Sequence, residues 1–152
     1  AEISPNDIVV WTWWRDEFES DFKACVKIGA KTVVGIEALS NLNVDADLFI
    51  GNKFELVSEK YDKSRNIIIT DGANGALLIE DGNESKYEAK SKVVIDTTGA
   101  GDALLAGVVV GMARGKKFEE SLRIGINWAV ATIETESSLP AKWSEKYIEL
   151  AS

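Results

Sequence analysis

Short apolar runs rich in β-branched residues alternate with segments of helical character along most of the chain. Residues 66–70 (NIIIT) are apolar at consecutive positions, as expected for a strand that is covered on both faces. Strands separated by helices predict an α/β fold, with a mostly parallel sheet flanked by helices in a single domain over residues 1–152. Ligands of such sheets bind at the carboxyl ends of the strands, where loops lead into helices.

The pattern predicts the following elements. Strands are expected at residues 7–14, 31–36, 47–50, 66–70, 75–80, 85–89 and 92–95, and helices at residues 17–28, 53–61, 102–114 and 118–134. Asp81-Gly82-Asn83 is a hairpin turn signal between two strands, so one antiparallel hairpin is inserted in the sheet. Gly107-x-x-x-Gly111 lies in an apolar segment too short to span a bilayer, which favours close packing in a soluble core.

Composition excludes several classes of function. A net charge of −8 argues against a nucleic-acid or anionic-membrane surface, because both need clustered Lys and Arg. The absence of His excludes Ser-His-Asp chemistry and zinc sites of the usual mixed type. Cys25 is the single cysteine and the N-terminus lacks a signal-peptide pattern, so we expect a cytoplasmic protein.

The segment VIDTTGAGDALLAG at residues 94–107 places Gly99, Ala100 and Gly101 directly before Asp102, at the head of an apolar helix. A helix N-terminus carries unpaired N–H groups and partial positive charge, and small residues let a phosphate approach them. A carboxylate at Asp102 can accept a proton from an attacking hydroxyl, so the pattern is consistent with phosphoryl transfer. From the residues alone the alternative is a tight turn in which Asp102 is an N-cap or a first-turn acid.

The same segment resembles the C-terminal signature of the ribokinase-like, PfkB-type carbohydrate kinases. The resemblance implies a ribokinase-like fold, ATP and Mg²⁺ as cofactors, and transfer of the γ-phosphoryl group to a hydroxyl of a sugar or sugar-like substrate. It also implies that Asp102 is the catalytic base and that Gly99, Ala100 and Gly101 form the anion hole.

Two upstream segments resemble further motifs of this family. Asn52 and Glu55 match its Asn-x-x-Glu motif, which helps to organise Mg²⁺; the alternative is a helix cap with its capping-box acid. Thr70, Gly72 and Gly75 match its Thr-x-Gly-x-x-Gly motif, which lines the nucleotide phosphates; the alternative is an ordinary turn.

Two weaker correspondences lie in the C-terminal part of the chain. Asn127 resembles a position on the helix that borders the adenine pocket, and Trp128 stands where a smaller residue is common, which would narrow the pocket. Asp96 and Thr98 match positions that hold a monovalent cation, such as K⁺, in some relatives. The loop at residues 136–140 lacks the Gly-Ala that usually completes that cation site.

The resemblance covers about residues 31–150 and corresponds to the C-terminal, nucleotide-binding part of a family member. The N-terminal part, which supplies most sugar contacts and a lid, is not recognisable, so we expect weak or absent turnover by this chain alone. The alternatives are a non-catalytic nucleotide-binding or interaction module and one half of a two-chain enzyme. An uncovered half-sheet would also favour a homo-oligomer.

The run VVWTWWR at residues 9–15 carries three tryptophans. Strand alternation predicts core packing with Trp11 and Trp13 on one face and Trp14 on the other. A partner interface and an aromatic platform for a sugar are the alternatives.

Overall fold

The computed structural model describes residues 2–36, 44–54, 65–91 and 93–135. Within these residues the strands are β1 (Ile8–Trp11), β2 (Lys31–Ile36), β3 (Leu48–Asn52), β4 (Ile67–Thr70), β5 (Ala76–Glu80) and β6 (Asn83–Tyr87). The α-helices are α1 (Glu19–Ile28), α2 (Ala100–Ala113) and α3 (Phe118–Ile133), and short 3₁₀ turns lie at Asp16–Phe18 and Gly72–Asn74. Most of the helix predicted at residues 53–61, and the chain after residue 135, lie outside the described residues.

The six strands form one sheet in chain order from β1 to β6. β1 to β4 pair in parallel, as predicted. The interior residues of β3 and β4 are buried, which agrees with their continuous apolar runs. The register places Phe49 beside Ile67 and Asn52 beside Thr70, so β3 and β4 end at the same level.

The antiparallel hairpin is confirmed at β5 and β6. The two-residue turn Asp81-Gly82 joins the strands, and both of its residues have positive φ, 50° and 79°. These angles are typical of the type I′ turn that a tight hairpin favours. Asn83 belongs to β6 instead of the turn.

The chain divides into two compact units. The first comprises residues 1–71 and 77–85, and the second residues 72–76 and 86–152. One core cluster of the first unit comprises the buried residues Phe22, Val34, Val44, Ala46, Phe49, Ile67, Ile69 and Ile79. α2 and α3 belong to the second unit and pack against each other.

Glycines allow the close approach of α2 and α3. A Cβ atom on Gly107 would lie 2.7 Å from the Cα of Gly125, and one on Gly111 would lie 2.6 Å from the Oγ of Ser121. Both distances are too short for a side chain in a packed interior. The prediction of close packing at Gly107-x-x-x-Gly111 is therefore confirmed. No helix of the described part is both long enough and apolar enough to cross a membrane.

The strand predicted at residues 92–95 is wrong for the three residues that the structure describes. The N–H groups of Ile95 and Asp96 donate to the carbonyl of Ile133 at the end of α3, at 2.7 and 3.3 Å. The side chains of residues 93–95 are all more than half exposed. The segment has the composition of a strand, but its backbone binds a helix end instead of a neighbouring strand.

The alternation predicted for the tryptophan run is also wrong. β1 ends at Trp11, so the two-residue period of a strand does not continue to Trp14. Trp11 and Trp14 both pack against the core of the first unit, with ring centroids 5.3 and 5.6 Å from that of Phe22. Trp13 is 39% exposed, and the guanidinium of Arg15 lies 4.4 Å from its ring centroid. Core packing is thus confirmed for Trp11 and Trp14 only.

Candidate functional site

α2 begins at Ala100, two residues earlier than predicted. The preceding Gly99 has φ of 78°, in the left-handed region that favours glycine. Its carbonyl accepts the N–H of Ala103 at 2.9 Å, which closes the first helical turn. Gly99 is therefore explained by the backbone alone.

Gly101 has no such explanation. Its φ is not positive, and a Cβ atom there would meet no atom within 4 Å beyond its chain neighbours and the helix backbone. The N–H groups of Gly101 and Asp102 have no acceptor among the described residues, and no side chain caps the helix. An open helix start with free N–H groups and partial positive charge can bind an anion.

Asp102 is the third residue of α2, and its side chain is exposed. Within the described part of the chain, its carboxylate forms no hydrogen bond or ion pair. The N-cap half of the alternative is wrong, because Gly99 occupies the cap position, whereas the first-turn position of Asp102 is confirmed. The carboxylate is therefore available to a ligand at the helix start.

The turn before α2 is held by Asp96, whose Oδ1 accepts the N–H of Thr98 at 2.9 Å. Hydrogen bonds from the backbone and the side chain of Thr98, and then from the backbone of Thr97, lower the pKa of Asp96. The two candidate cation ligands thus bond to each other. Across the described residues, no cluster of three or more acidic or cysteine side chains could hold a metal ion.

A second set of candidate residues lies at the carboxyl ends of β3 and β4, in the first unit. Asn52 lies beside Thr70, and the N–H of Lys53 donates to the carbonyl of Thr70 at 3.0 Å. The Oδ1 of Asn52 accepts the N–H of Phe54 at 2.9 Å. Glu55, the other residue of the predicted pair, lies outside the described residues. The structure therefore brings Asn52 and Thr70 together at the sheet edge where parallel sheets bind ligands.

Lys53 and Asp71 form an ion pair between the loops that follow β3 and β4. Both side chains are partly exposed, 43% and 35%. Sequence reasoning missed this pair, because each residue occupies an unspecified position of its motif. Only the register of the two strands, which is not a local signal, brings them together.

Gly72 and Gly75, in the second unit, lie at the 3₁₀ turn after Thr70. A Cβ atom on Gly75 would lie 1.9 Å from the carbonyl oxygen of Tyr87, so a close backbone approach explains this glycine. A Cβ atom on Gly72 would meet nothing within 4 Å. Of the two, only Gly72 leaves open space for a ligand.

A cavity of about 420 Å³ lies within the second unit. Its lining residues are Lys86, Tyr87, Glu88, Lys90, Arg123, Ile126, Asn127 and Val130. The Arg123 guanidinium lies 5.0 Å from the ring centroid of Tyr87 and is bonded to Glu119 at 3.0 Å. Asn127 is exposed, and its amide has no hydrogen bond within the described part. Trp128 packs in a buried cluster and does not line this cavity.

Comparison with known proteins identifies the family. The family described as pfkB family carbohydrate kinase matches residues 36–144. This chain belongs to that family.

Individual relatives match shorter segments of the chain. Adenosine kinase 1 of Arabidopsis thaliana is 42% identical over 65 residues, which are 40% of this chain and 19% of the relative. Cytidine kinase of Thermococcus kodakarensis is 36% identical over 66 residues, 41% of this chain and 23% of the relative. The chain thus matches only about a fifth of each relative.

Solved structures match almost the whole chain. A. thaliana ribokinase complexed with ribose and ATP has a TM-score of 0.75 at 21% identity, over 95% of this chain and 55% of that protein. The tetrameric inhibited form of Escherichia coli phosphofructokinase-2 has a TM-score of 0.74 at 16% identity, over 99% of this chain and 58% of that protein. The ribokinase-like fold is confirmed, and the chain spans about half the length of these kinases.

Proposed function

We propose that this chain binds ATP and takes part in the transfer of its γ-phosphoryl group to a hydroxyl of a sugar or sugar-like alcohol. The observation that carries the proposal is the open start of α2. There Gly101 leaves space, two N–H groups have no acceptor in the described part, and the Asp102 carboxylate is exposed beside them. The matched relatives are nucleoside and carbohydrate kinases, which supports phosphoryl transfer in general.

The reacting groups follow from this arrangement. The turn Gly99-Ala100-Gly101 would receive phosphate oxygens, and the α2 dipole would stabilise their charge. The acceptor oxygen would form a bond to the γ-phosphorus while the bond to the bridging oxygen of ADP breaks. Asp102 would take the hydroxyl proton, so it is the proposed catalytic base.

The rest of the nucleotide would use the remaining motif residues. We assign Thr70 and Gly72 to the phosphates and Asn127 to the adenine, whereas the close backbone approach at Tyr87 already explains Gly75. The cavity is assigned to the base because Asn127 lines it. Ile126 supplies an apolar wall, and the Asn127 amide offers both a donor and an acceptor.

Asn52 and Glu55 are the proposed organisers of Mg²⁺, which would neutralise phosphate charge when bound. Amide and carboxylate oxygens fit the ligand preference of Mg²⁺. Because the Oδ1 of Asn52 already accepts the N–H of Phe54, Asn52 is better placed to orient metal-bound water than to coordinate directly.

Asp96 and Thr98 fit a K⁺ site less well than Asn52 and Glu55 fit an Mg²⁺ site. The Oδ1 of Asp96 already accepts the N–H of Thr98. We therefore propose no step that depends on K⁺.

A second candidate function is a non-catalytic nucleotide-binding module, or one half of a two-chain enzyme. The observation that favours it is the same open helix start, because phosphate binding there needs no acceptor contacts. In this case residues 1–152 act as one nucleotide-binding domain, and another chain or a second copy supplies the acceptor contacts.

The test combines binding and turnover by the purified chain. Calorimetric titration with Mg-ATP measures binding, and ADP release with a panel of sugars and nucleosides measures transfer. Asp102→Asn should keep ATP binding and abolish acceptor-dependent ADP release. Asp45→Asn, which removes the same charge at another exposed position, should change neither. Binding without turnover in the parent chain supports the module, and no binding contradicts both functions.

A further inference from the structure

The ion pair between Lys53 and Asp71 lies at the ligand-binding edge of the sheet, and the motif positions do not account for it. Lys53 follows β3 directly and Asp71 follows β4 directly. The paired ends of these strands carry Asn52 and Thr70. The Lys53 ammonium, paired with Asp71, therefore lies on the residue after Asn52, and the N–H of Lys53 donates to the carbonyl of Thr70.

The position of the Lys53 ammonium is set by two neighbours. One is the Asp71 carboxylate, and the other is the ring of Phe54, whose centroid lies 5.2 Å from the Nζ. The backbone of the same residue is held by its hydrogen bond to Thr70 at 3.0 Å. A long side chain that is already ordered loses less entropy when it binds a ligand.

We infer that Lys53 is a positioning residue that binds the phosphates of the donor nucleotide, and that Asp71 holds its ammonium in place. This inference rests on the proposed function. An ammonium has three N–H donors, so a bond to Asp71 leaves donors for phosphate oxygens. The partly exposed pair remains accessible to a ligand that reaches the carboxyl ends of β3 and β4.

The experiment compares Lys53→Met and Lys53→Arg with the parent chain by calorimetric titration of Mg-ATP, inorganic triphosphate and adenosine. Lys53→Met should lower the affinity for Mg-ATP and for inorganic triphosphate about tenfold, which is the effect of losing one charge-assisted hydrogen bond. Lys53→Arg should keep both affinities within about threefold, because guanidinium also binds phosphate. Adenosine, which has no phosphate, should bind all three proteins equally.

Lys23→Met is the matched control, because Lys23 also forms an ion pair in the first unit, with Glu19 on α1. It should change none of the affinities. The role of Asp71 is tested by a double-mutant cycle: Lys53→Met should cost much less affinity in an Asp71→Asn background.

The outcomes separate the inference from the proposed function. If the parent chain binds Mg-ATP and Lys53→Met binds it equally well, the inference is wrong and the proposed function stands. Equal loss of adenosine and triphosphate affinity in Lys53→Met would show a merely structural role and also overturn the inference. If the effects of Lys53→Met and Asp71→Asn on affinity are additive, Asp71 does not position Lys53 and that part of the inference is wrong. A parent chain that binds no ATP refutes the proposed function and the inference together.

Discussion

Replacement of Gly101 by alanine and by valine separates what the fold needs from what a ligand needs. No atom outside the local backbone lies within 4 Å of the added Cβ, so neither side chain is crowded. Alanine removes the helix penalty of glycine, and the free energy of unfolding should rise by about 0.5–1 kcal/mol. Valine should change it by less than about 0.5 kcal/mol, because its lower helix propensity offsets part of that gain.

The effect on ligand binding should be opposite in sign. In the proposed site the open space at Gly101 holds a phosphate against the N–H groups of Gly101 and Asp102. A methyl group that weakens one charge-assisted bond should reduce Mg-ATP affinity about tenfold. The isopropyl group of valine should displace the phosphate from both donors and reduce affinity more than about a hundredfold.

Two measurements on each variant check this: Mg-ATP titration by calorimetry and urea unfolding followed by circular dichroism. Gly107→Ala is the control, because it is the same substitution in the same helix at a position where Cβ would lie 2.7 Å from the Gly125 Cα. Overpacking there should lower the free energy of unfolding by about 1–3 kcal/mol. Gly101 does not hold space for a phosphate if Gly101→Val binds Mg-ATP like the parent, and the space itself is absent if Gly101→Ala destabilises the fold as Gly107→Ala does.

Four further variants test the remaining assignments. Asn127→Ala should lower the affinity for Mg-ATP about two- to tenfold, because one hydrogen bond to the base is lost. The affinity for inorganic triphosphate, measured by calorimetry, should not change. In urea unfolding, Trp11→Ala should lower the free energy of unfolding by about 2–4 kcal/mol, whereas loss of the exposed Trp13 ring should cost less than about 1 kcal/mol. Thr98 lowers the pKa of Asp96 in the folded chain. The ionised carboxylate therefore stabilises the fold at pH values above the pKa that Asp96 has in the unfolded chain, and this stabilisation is lost as the pH falls through the pKa of the folded chain. Asp96→Asn should therefore flatten the acid part of the stability profile measured by urea unfolding at stepped pH.

The elements that sequence predicts well are those decided by neighbouring residues. β2 spans the predicted residues 31–36, and α3 begins at the predicted Phe118. Gly29 ends α1 with φ of 88°, and Asp81-Gly82 makes the hairpin turn. In each case the apolar period or the turn chemistry is local, so a short window contains all the information that is needed.

The failed predictions concern segments whose partners are distant in the chain. Residues 93–95 are apolar and β-branched, yet their backbone bonds to Ile133 at the end of α3. Trp14 packs beside Trp11 because β1 stops at Trp11, and local composition does not mark that end. Strand composition describes a surface that fits a sheet, but hydrogen-bond partners decide whether a strand forms.

The candidate site also contains residues that a local motif identifies and residues that only distant contacts bring together. Gly99 and Gly101 look equivalent in the motif, but the backbone requires only the first, so the structure leaves Gly101 as the residue that a ligand would explain. Lys53 and Asp71 show the converse, because no motif marks them and the register of β3 and β4 brings them together. A motif thus identifies the positions that the chemistry shares among relatives. Under the proposed function, Lys53 and Asp71 would tune the affinity for the donor from positions that the motifs leave unspecified.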